Sequence, residues 1–202
     1  MTAATPPATV TVTVDGTEVS VPPGTLAVEA ARVAGVDVPV FCYHPKLSLA
    51  GACRMCMCEI GMASPPGQPP RPPGLMTACT TRVSNGMTIN TMAPGALKAR
   101  EGVIEFLLIN HPLDCPVCDA GGECPLQDNS HAWGPKESRF TEQKRLARKG
   151  AALSPLVVLD QERCITCYRC TRFMDEIPGE AELAFFTRGY TSQHRTINEE
   201  PM

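Results

Sequence analysis

Val10, Val12 and Val14 alternate with threonines, the two-residue period of a strand with one buried face. Asp15-Gly16 then supplies a tight turn, and Val19 and Val21 resume the apolar pattern, so residues 9–21 predict a β-hairpin. Pro22-Pro23-Gly24 breaks the sheet pattern, and Thr25 is placed to cap a helix over residues 26–34 that Gly35 ends. An irregular stretch follows, and short strands are predicted at 57–60, 76–80 and 87–90. Two strands, a helix and more strands suggest a small α+β sheet domain ending near residue 92.

Pro94 suits the first turn of a further helix, with Leu97, Val103, Ile104, Leu107 and Leu108 on a broad apolar face. Pro112 stops that helix and leaves His111 at its end. Between the sheet segments, residues 64–74 (SPPGQPPRPPG) predict a polyproline-like surface loop. Residues 139–150 (RFTEQKRLARKG) form a polar, net basic link, either solvated or a docking strip for an acidic partner. One more short strand is predicted at 156–159.

Composition sharpens this outline. The chain has 202 residues, enough for one ordinary domain or two to three small ones, but only 5% are aromatic and eleven are cysteines. Small modules held together by metal account for both features, because short domains bury little surface. The net charge of −3 gives no support to a nucleic-acid partner. The first seven residues contain no basic or apolar region of a signal peptide, and the longest apolar stretches fall short of a bilayer span. A soluble protein on the cytoplasmic side is therefore expected, where patterned thiols serve as metal ligands more readily than as disulfides.

Ten of the cysteines fall into three sets. Cys42, Cys53, Cys56 and Cys79 read C-x10-C-x2-C-x22-C, four thiolates that suffice for a [2Fe–2S] centre. Gly51 and Ala52 are small enough to let backbone N–H groups approach the sulfurs. A four-thiolate zinc site is the alternative, although zinc ribbons normally carry two C-x2-C knuckles and this set has one. Cys115, Cys118 and Cys124 supply three ligands, with His111 as fourth donor and His131 as its competitor; Gly121-Gly122 permits the tight wrap between them. Cys164, Cys167 and Cys170 open a bacterial ferredoxin run, but Thr-Arg-Phe-Met follows and no later cysteine appears. Ten cysteines and one histidine make eleven donors, whereas one binuclear and two tetranuclear centres need twelve. Cys58 is left over and reads as a small buried hydrophobe.

These residues resemble a known family. GACRMC (51–56), NHPLDCPVCDAGGECPLQD (110–128) and RCITCYRCTRFMDEI (163–177), with FCYHP around Cys42 and ACTT around Cys79, are similar to the N-terminal region of the large iron–sulfur subunit of respiratory NADH:quinone oxidoreductase, complex I. The resemblance runs from about residue 9 onward. It implies an α+β chain: a β-grasp [2Fe–2S] ferredoxin-like domain (1–92), a one-His, three-Cys [4Fe–4S] domain (93–150) and a partial bacterial-ferredoxin-like [4Fe–4S] domain (151–202). Cys42, Cys53, Cys56 and Cys79 would hold the [2Fe–2S] cluster. His111, Cys115, Cys118 and Cys124 would hold one [4Fe–4S] cluster, and Cys164, Cys167 and Cys170 a second. That second cluster would be completed by a later cysteine beyond residue 202, so the chain reads as a fragment or short form of that large subunit.

The resemblance further implies electron relay from flavin towards quinone, with no catalytic residues in this chain. No phosphate-cradling glycine motif or catalytic triad stands in the sequence, so NADH and flavin are expected in a neighbouring subunit. Expected partners are peripheral-arm subunits of complex I, with the membrane reached only through the complex. The same three-centre pattern is similar to electron-transfer subunits of NAD-reducing hydrogenases and to iron-only hydrogenases. PLVVLDQERC (155–164) and RGYTSQ (188–193) favour the complex I side. A zinc-stabilised interaction module is the rival from another class.

Overall fold

The computed structural model describes residues 9–64, 68 and 71–197. Most of the prolines of the expected 64–74 loop lie outside the described residues, as do 1–8 and 198–202. The chain divides into two compact units, residues 1–40 with 53–101 and residues 41–52 with 102–202.

In the first unit, β1 (Val10–Val14) and β2 (Thr17–Val21) form the predicted hairpin, with Val12 opposite Val19. Asp15 (φ 46°) and Gly16 (φ 85°) are both left-handed, as a two-residue turn matching the strand twist requires. Val12, Val14 and Val21 turn inward, and α1 (Ala27–Val33), which buries Ala27, Val28, Ala30 and Ala31, lies against these two strands.

The start of α1 departs from expectation. Thr25 does not cap it: its hydroxyl donates to the Pro22 carbonyl (2.7 Å), and Leu26 holds the cap position without a side-chain bond. Backbone bonds from a distant loop fix the helix start instead, Val83 N–H to Thr25 O and Ala27 N–H to Thr81 O, each 2.8 Å. Gly35 (φ 80°) closes the helix as predicted, with Val36 N–H bonded to Ala31 O.

β3 (Met57–Gly61), β4 (Gly74–Thr77) and β5 (Met87–Asn90) complete a five-stranded sheet of order β2-β1-β5-β3-β4. β1 and β5 run parallel; every other pair is antiparallel. The strand expected at 76–80 begins earlier and stops at Thr77, because residues 78–81 turn back to bond Thr77 O.

α2 (Pro94–Ile109) starts at the predicted proline but turns a different face inward. Its fully buried positions are Ala96, Arg100 and Ile104, while Leu97, Val103, Leu107 and Leu108 are half-buried and Phe106 is exposed. Arg100 is only 1% exposed. Its Nη2 reaches Met57 O (3.3 Å) and Cys58 Sγ (3.8 Å), which offsets part of the cost of burying a cation.

The second unit holds a 3-10 turn at Cys115–Val117, α3 (Pro125–Trp133), a two-stranded ribbon of β6 (Ala151–Ala152) and β7 (Val158–Leu159), and α4 (Arg169–Glu176). β8 (Leu183–Phe186) and β9 (Gln193–Thr196) pair as a hairpin after it. The basic 139–150 segment engages several of its cations inside the chain. Arg139 pairs with Glu105 (2.6 Å), and Lys144 Nζ donates to Leu108 O (2.7 Å) and Ile109 O (3.0 Å). A cation at a helix C-terminus is favoured by the carbonyls that the helix itself leaves without partners. Among the described residues no helix is long and apolar enough to cross a membrane.

Candidate metal centres

The second cysteine set forms the clearest site. His111, Cys115, Cys118 and Cys124 all line one cavity of about 630 Å³, with Leu108 and Leu126 also on its wall. α2 ends shortly before His111, and Pro125 starts α3 directly after Cys124, so two helices hold the ends of the ligand loop. Within the loop, Gly121 N–H bonds Cys118 O (2.9 Å), and Gly122 adopts φ 91°. A Cβ on Gly121 would stand 3.1 Å from both Cys115 O and Cys118 O, so a side chain there would crowd the backbone carbonyls of two of the cysteines. Three soft thiolates and an imidazole lining one half-open cavity suit a tetranuclear iron–sulfur cluster.

His131 also lines this cavity, so position on its wall alone does not choose between the two histidines. His111 is half-buried, and burial, then the nearby Lys144 charge, keeps its pKa below the usual value; His131 is exposed. The neutral ring is the form that binds metal. Beside the loop, Asp114 Oδ2 accepts from Lys149 Nζ (2.5 Å) and Arg163 Nε (3.1 Å), and Lys149 also meets Glu162 (3.0 Å). The Lys149 hydrogen bond holds the Asp114 carboxyl below the ordinary carboxylate range. This cage ties the residue before Cys115 to the segment before Cys164, and no motif in the sequence signals it. Among the described residues, no three His, Cys, Asp or Glu side chains close on a single point as one mononuclear ion requires.

Cys164 and Cys167 lie in a loop that leads to Cys170 in the first turn of α4, and its backbone turns left-handed twice, at Thr166 (φ 52°) and Tyr168 (φ 64°). This bends the chain between consecutive cysteines and brings Thr166 N–H to Cys164 Sγ (3.3 Å). Burial pushes the Cys164 thiol up to about 11 and raises Cys170 as well. A metal held by these cysteines would displace those protons. α4 then continues from the loop, and its cations hold segment 41–52. Arg169 donates to Tyr43 O (3.0 Å), Arg172 to the carbonyls of Cys42 and Ser48, and Glu176 accepts from Ser48 N–H (2.7 Å). Cys42 itself is fully buried in that segment.

The other members of the first set sit at one end of the sheet. The β3–β4 ladder extends through Ala78 N–H to Cys56 O (3.0 Å), which brings the Cys56 and Cys79 segments side by side; both residues are buried. Cys53 is half-buried between left-handed Gly51 (φ 58°) and Arg54 (φ 62°). Cys58, 0% exposed, lies within β3, and burial pushes its thiol to about 11. It packs as a neutral core group against Arg100.

Three protein-family profiles match the chain in succession. They are a 2Fe-2S iron-sulfur cluster binding domain over residues 7–94, the NADH-ubiquinone oxidoreductase-G iron-sulfur binding region over 100–139, and the NADH-quinone oxidoreductase subunit 3 ferredoxin-like domain over 154–202. The chain is 47% identical over 203 residues to the G subunit of the NADH-quinone oxidoreductase of Streptomyces coelicolor, a match covering 98% of this chain and 23% of the relative. It is also 47% identical to the corresponding G subunit of Mycobacterium tuberculosis (96% and 23% covered). The same identity holds for the mitochondrial NADH dehydrogenase [ubiquinone] iron-sulfur protein 1 of Solanum tuberosum (94% and 24%). The chain thus spans about a quarter of the length of these curated relatives. Among solved structures, an NAD+-reducing [NiFe]-hydrogenase chain in the H2-reduced state superposes with TM-score 0.79 at 28% identity, covering 94% of this chain and 75% of that one. The mixed α+β fold and the presence of [2Fe–2S]- and [4Fe–4S]-binding regions follow from these matches together.

Proposed function

Because the chain belongs to the G-subunit family of NADH-quinone oxidoreductases, by its three consecutive iron–sulfur regions, we propose that it is the electron-relay part of such a complex. Iron–sulfur clusters supply one-electron carriage at potentials tuned by ligands, hydrogen bonds and burial. The protein's part is to hold and tune them. Residues 1–92, 93–150 and 151–202 act as three modules. Cys42, Cys53, Cys56 and Cys79 hold the binuclear centre; His111, Cys115, Cys118 and Cys124 hold a tetranuclear one; Cys164, Cys167 and Cys170 give three ligands of another. NADH and flavin bind on a neighbouring subunit of the peripheral arm, quinone farther along, and the complex holds this chain at the cytoplasmic face of the membrane.

The cavity ringed by His111 and three cysteines carries this reading. Anaerobic purification, iron and sulfide analysis, and EPR after dithionite reduction test it. At least about six irons per chain with matching sulfide are expected, for the binuclear and one tetranuclear centre; zinc in their place ends the proposal. The likeness to the NAD+-reducing hydrogenase supports a second reading, an electron-transfer subunit of a hydrogenase. Co-purification with membrane-bound complex I subunits, and not with a nickel–iron subunit, decides for the first.

Ligand type gives a further expectation. The neutral imidazole of His111 donates less charge to iron than a thiolate, so it favours the reduced state. His111→Cys is expected to lower the midpoint potential of that one centre in an EPR redox titration. An unchanged potential with the centre still present means that His111 is not a ligand.

A further inference from the structure

The three cysteines of the last set do not meet the same surroundings. Cys164 Sγ, already bonded by Thr166 N–H, also lies 3.4 Å from His194 Nδ1. His194 sits on β9, opposite Phe185 in the hairpin register, and is 2% exposed. Its ring lies against Phe185 (centroids 3.8 Å apart), which in turn meets Tyr168 at 3.9 Å. Its carbonyl accepts from Gln161 Nε2 (3.0 Å). Backbone register, aromatic packing and a carbonyl bond therefore all fix where this imidazole stands. The other ring nitrogen, Nε2, is buried with no hydrogen-bond partner among the described residues. The placed hydrogen-bonding function of the ring is thus directed at Cys164.

We infer that His194 is a positioning residue for the third iron–sulfur centre, donating its Nδ1–H to the Cys164 thiolate and raising the reduction potential of that centre. This rests on the reading of Cys164 as a ligand. A metal-bound thiolate has lost its proton and can only accept, so a hydrogen bond here places the ring proton on Nδ1, the tautomer that leaves the unpartnered Nε2 without one. A donor withdraws charge from the sulfur, and the reduced cluster, being more negative, gains most from it. Contact with the sulfur itself is a donor's position.

The test uses the assembled, anaerobically purified complex containing this chain, with the third centre identified as the EPR signal lost in Cys167→Ala. His194→Phe keeps the aromatic packing and removes the N–H. The ratio of reduced to oxidised third centre at a fixed potential near its midpoint is expected to fall roughly tenfold, about 59 mV for one electron. The other centres should stay unmoved. His194→Gln, which restores an N–H, should recover part of the shift. In deuterated buffer, the exchangeable-hydrogen coupling of the reduced centre seen by electron–nuclear double resonance should weaken in His194→Phe. An unmoved potential and coupling with the centre present overturn the inference. Loss of this centre alone in both variants also overturns it, because that is the behaviour of a ligand. A third signal missing already from the unaltered complex overturns the cluster reading itself, and the inference with it.

Discussion

Cys118→Ala is expected to empty the proposed tetranuclear site between α2 and α3, lowering iron by about four per chain while the binuclear EPR signal survives. Cys118 is half-buried on the wall of the cavity that His111, Cys115 and Cys124 also line. Its side chain can be removed without touching the backbone bond from Gly121 N–H to Cys118 O, so the loop keeps its shape while the donor set falls from four to three. Because metal binding contributes folding free energy, the unit around the cavity should also melt earlier than in the unaltered protein. Iron content, sulfide and spectrum all unchanged would mean that these four side chains do not hold a cluster. Cys58→Ala is the contrasting variant. Its sulfur lies in the sheet core, so iron should be retained and the cost should appear in stability alone.

Gly134→Ala should damage the same site from a distance. Gly134 ends α3, and a Cβ there would stand 2.6 Å from Ser130 O and 2.8 Å from Ile104 Cγ2. The first is helix backbone, and the second belongs to a fully buried side chain of α2. Neither can move aside cheaply, so overpacking of about 1–3 kcal/mol is expected. Since α3 carries Cys124 at its entrance, thermal melting and the rate of iron loss to a chelator should both worsen. Gly102→Ala is the control. Gly102 lies within α2, and its Cβ would meet nothing within 4 Å, so a helix-favouring gain of up to about 1 kcal/mol is expected there. Equal melting of the two variants would show that the α2–α3 contact does not support the site.

Much of the first unit can be read along the chain. The valine alternation and Asp15-Gly16 define the hairpin, Gly35 marks the end of α1, and Pro94 the start of α2, because each rests on local backbone preference. What local rules miss is set by distant partners. Thr25 looks like a cap, yet residues 81 and 83 supply the bonds that fix the start of α1. Hydropathy puts the leucines of α2 inside, yet Arg100 is buried more completely, because Cys58 and the Met57 carbonyl wait for it on β3. Spacing likewise nominates the ligand candidates, and the His111 quartet does line one cavity. It does not separate His111 from His131. Nor does it reveal His194, which approaches Cys164 only through hairpin pairing thirty residues away in sequence.

The left-handed turns at Thr166 and Tyr168 have a bearing on protein engineering. Neither residue is glycine, and each holds a conformation about 1–2 kcal/mol above its right-handed alternative. A short synthetic peptide copying 163–171 would relax out of that shape, and its three thiols would scatter. Anyone transplanting this motif into a miniature redox scaffold must carry the β8–β9 hairpin with it, or write glycines at both positions.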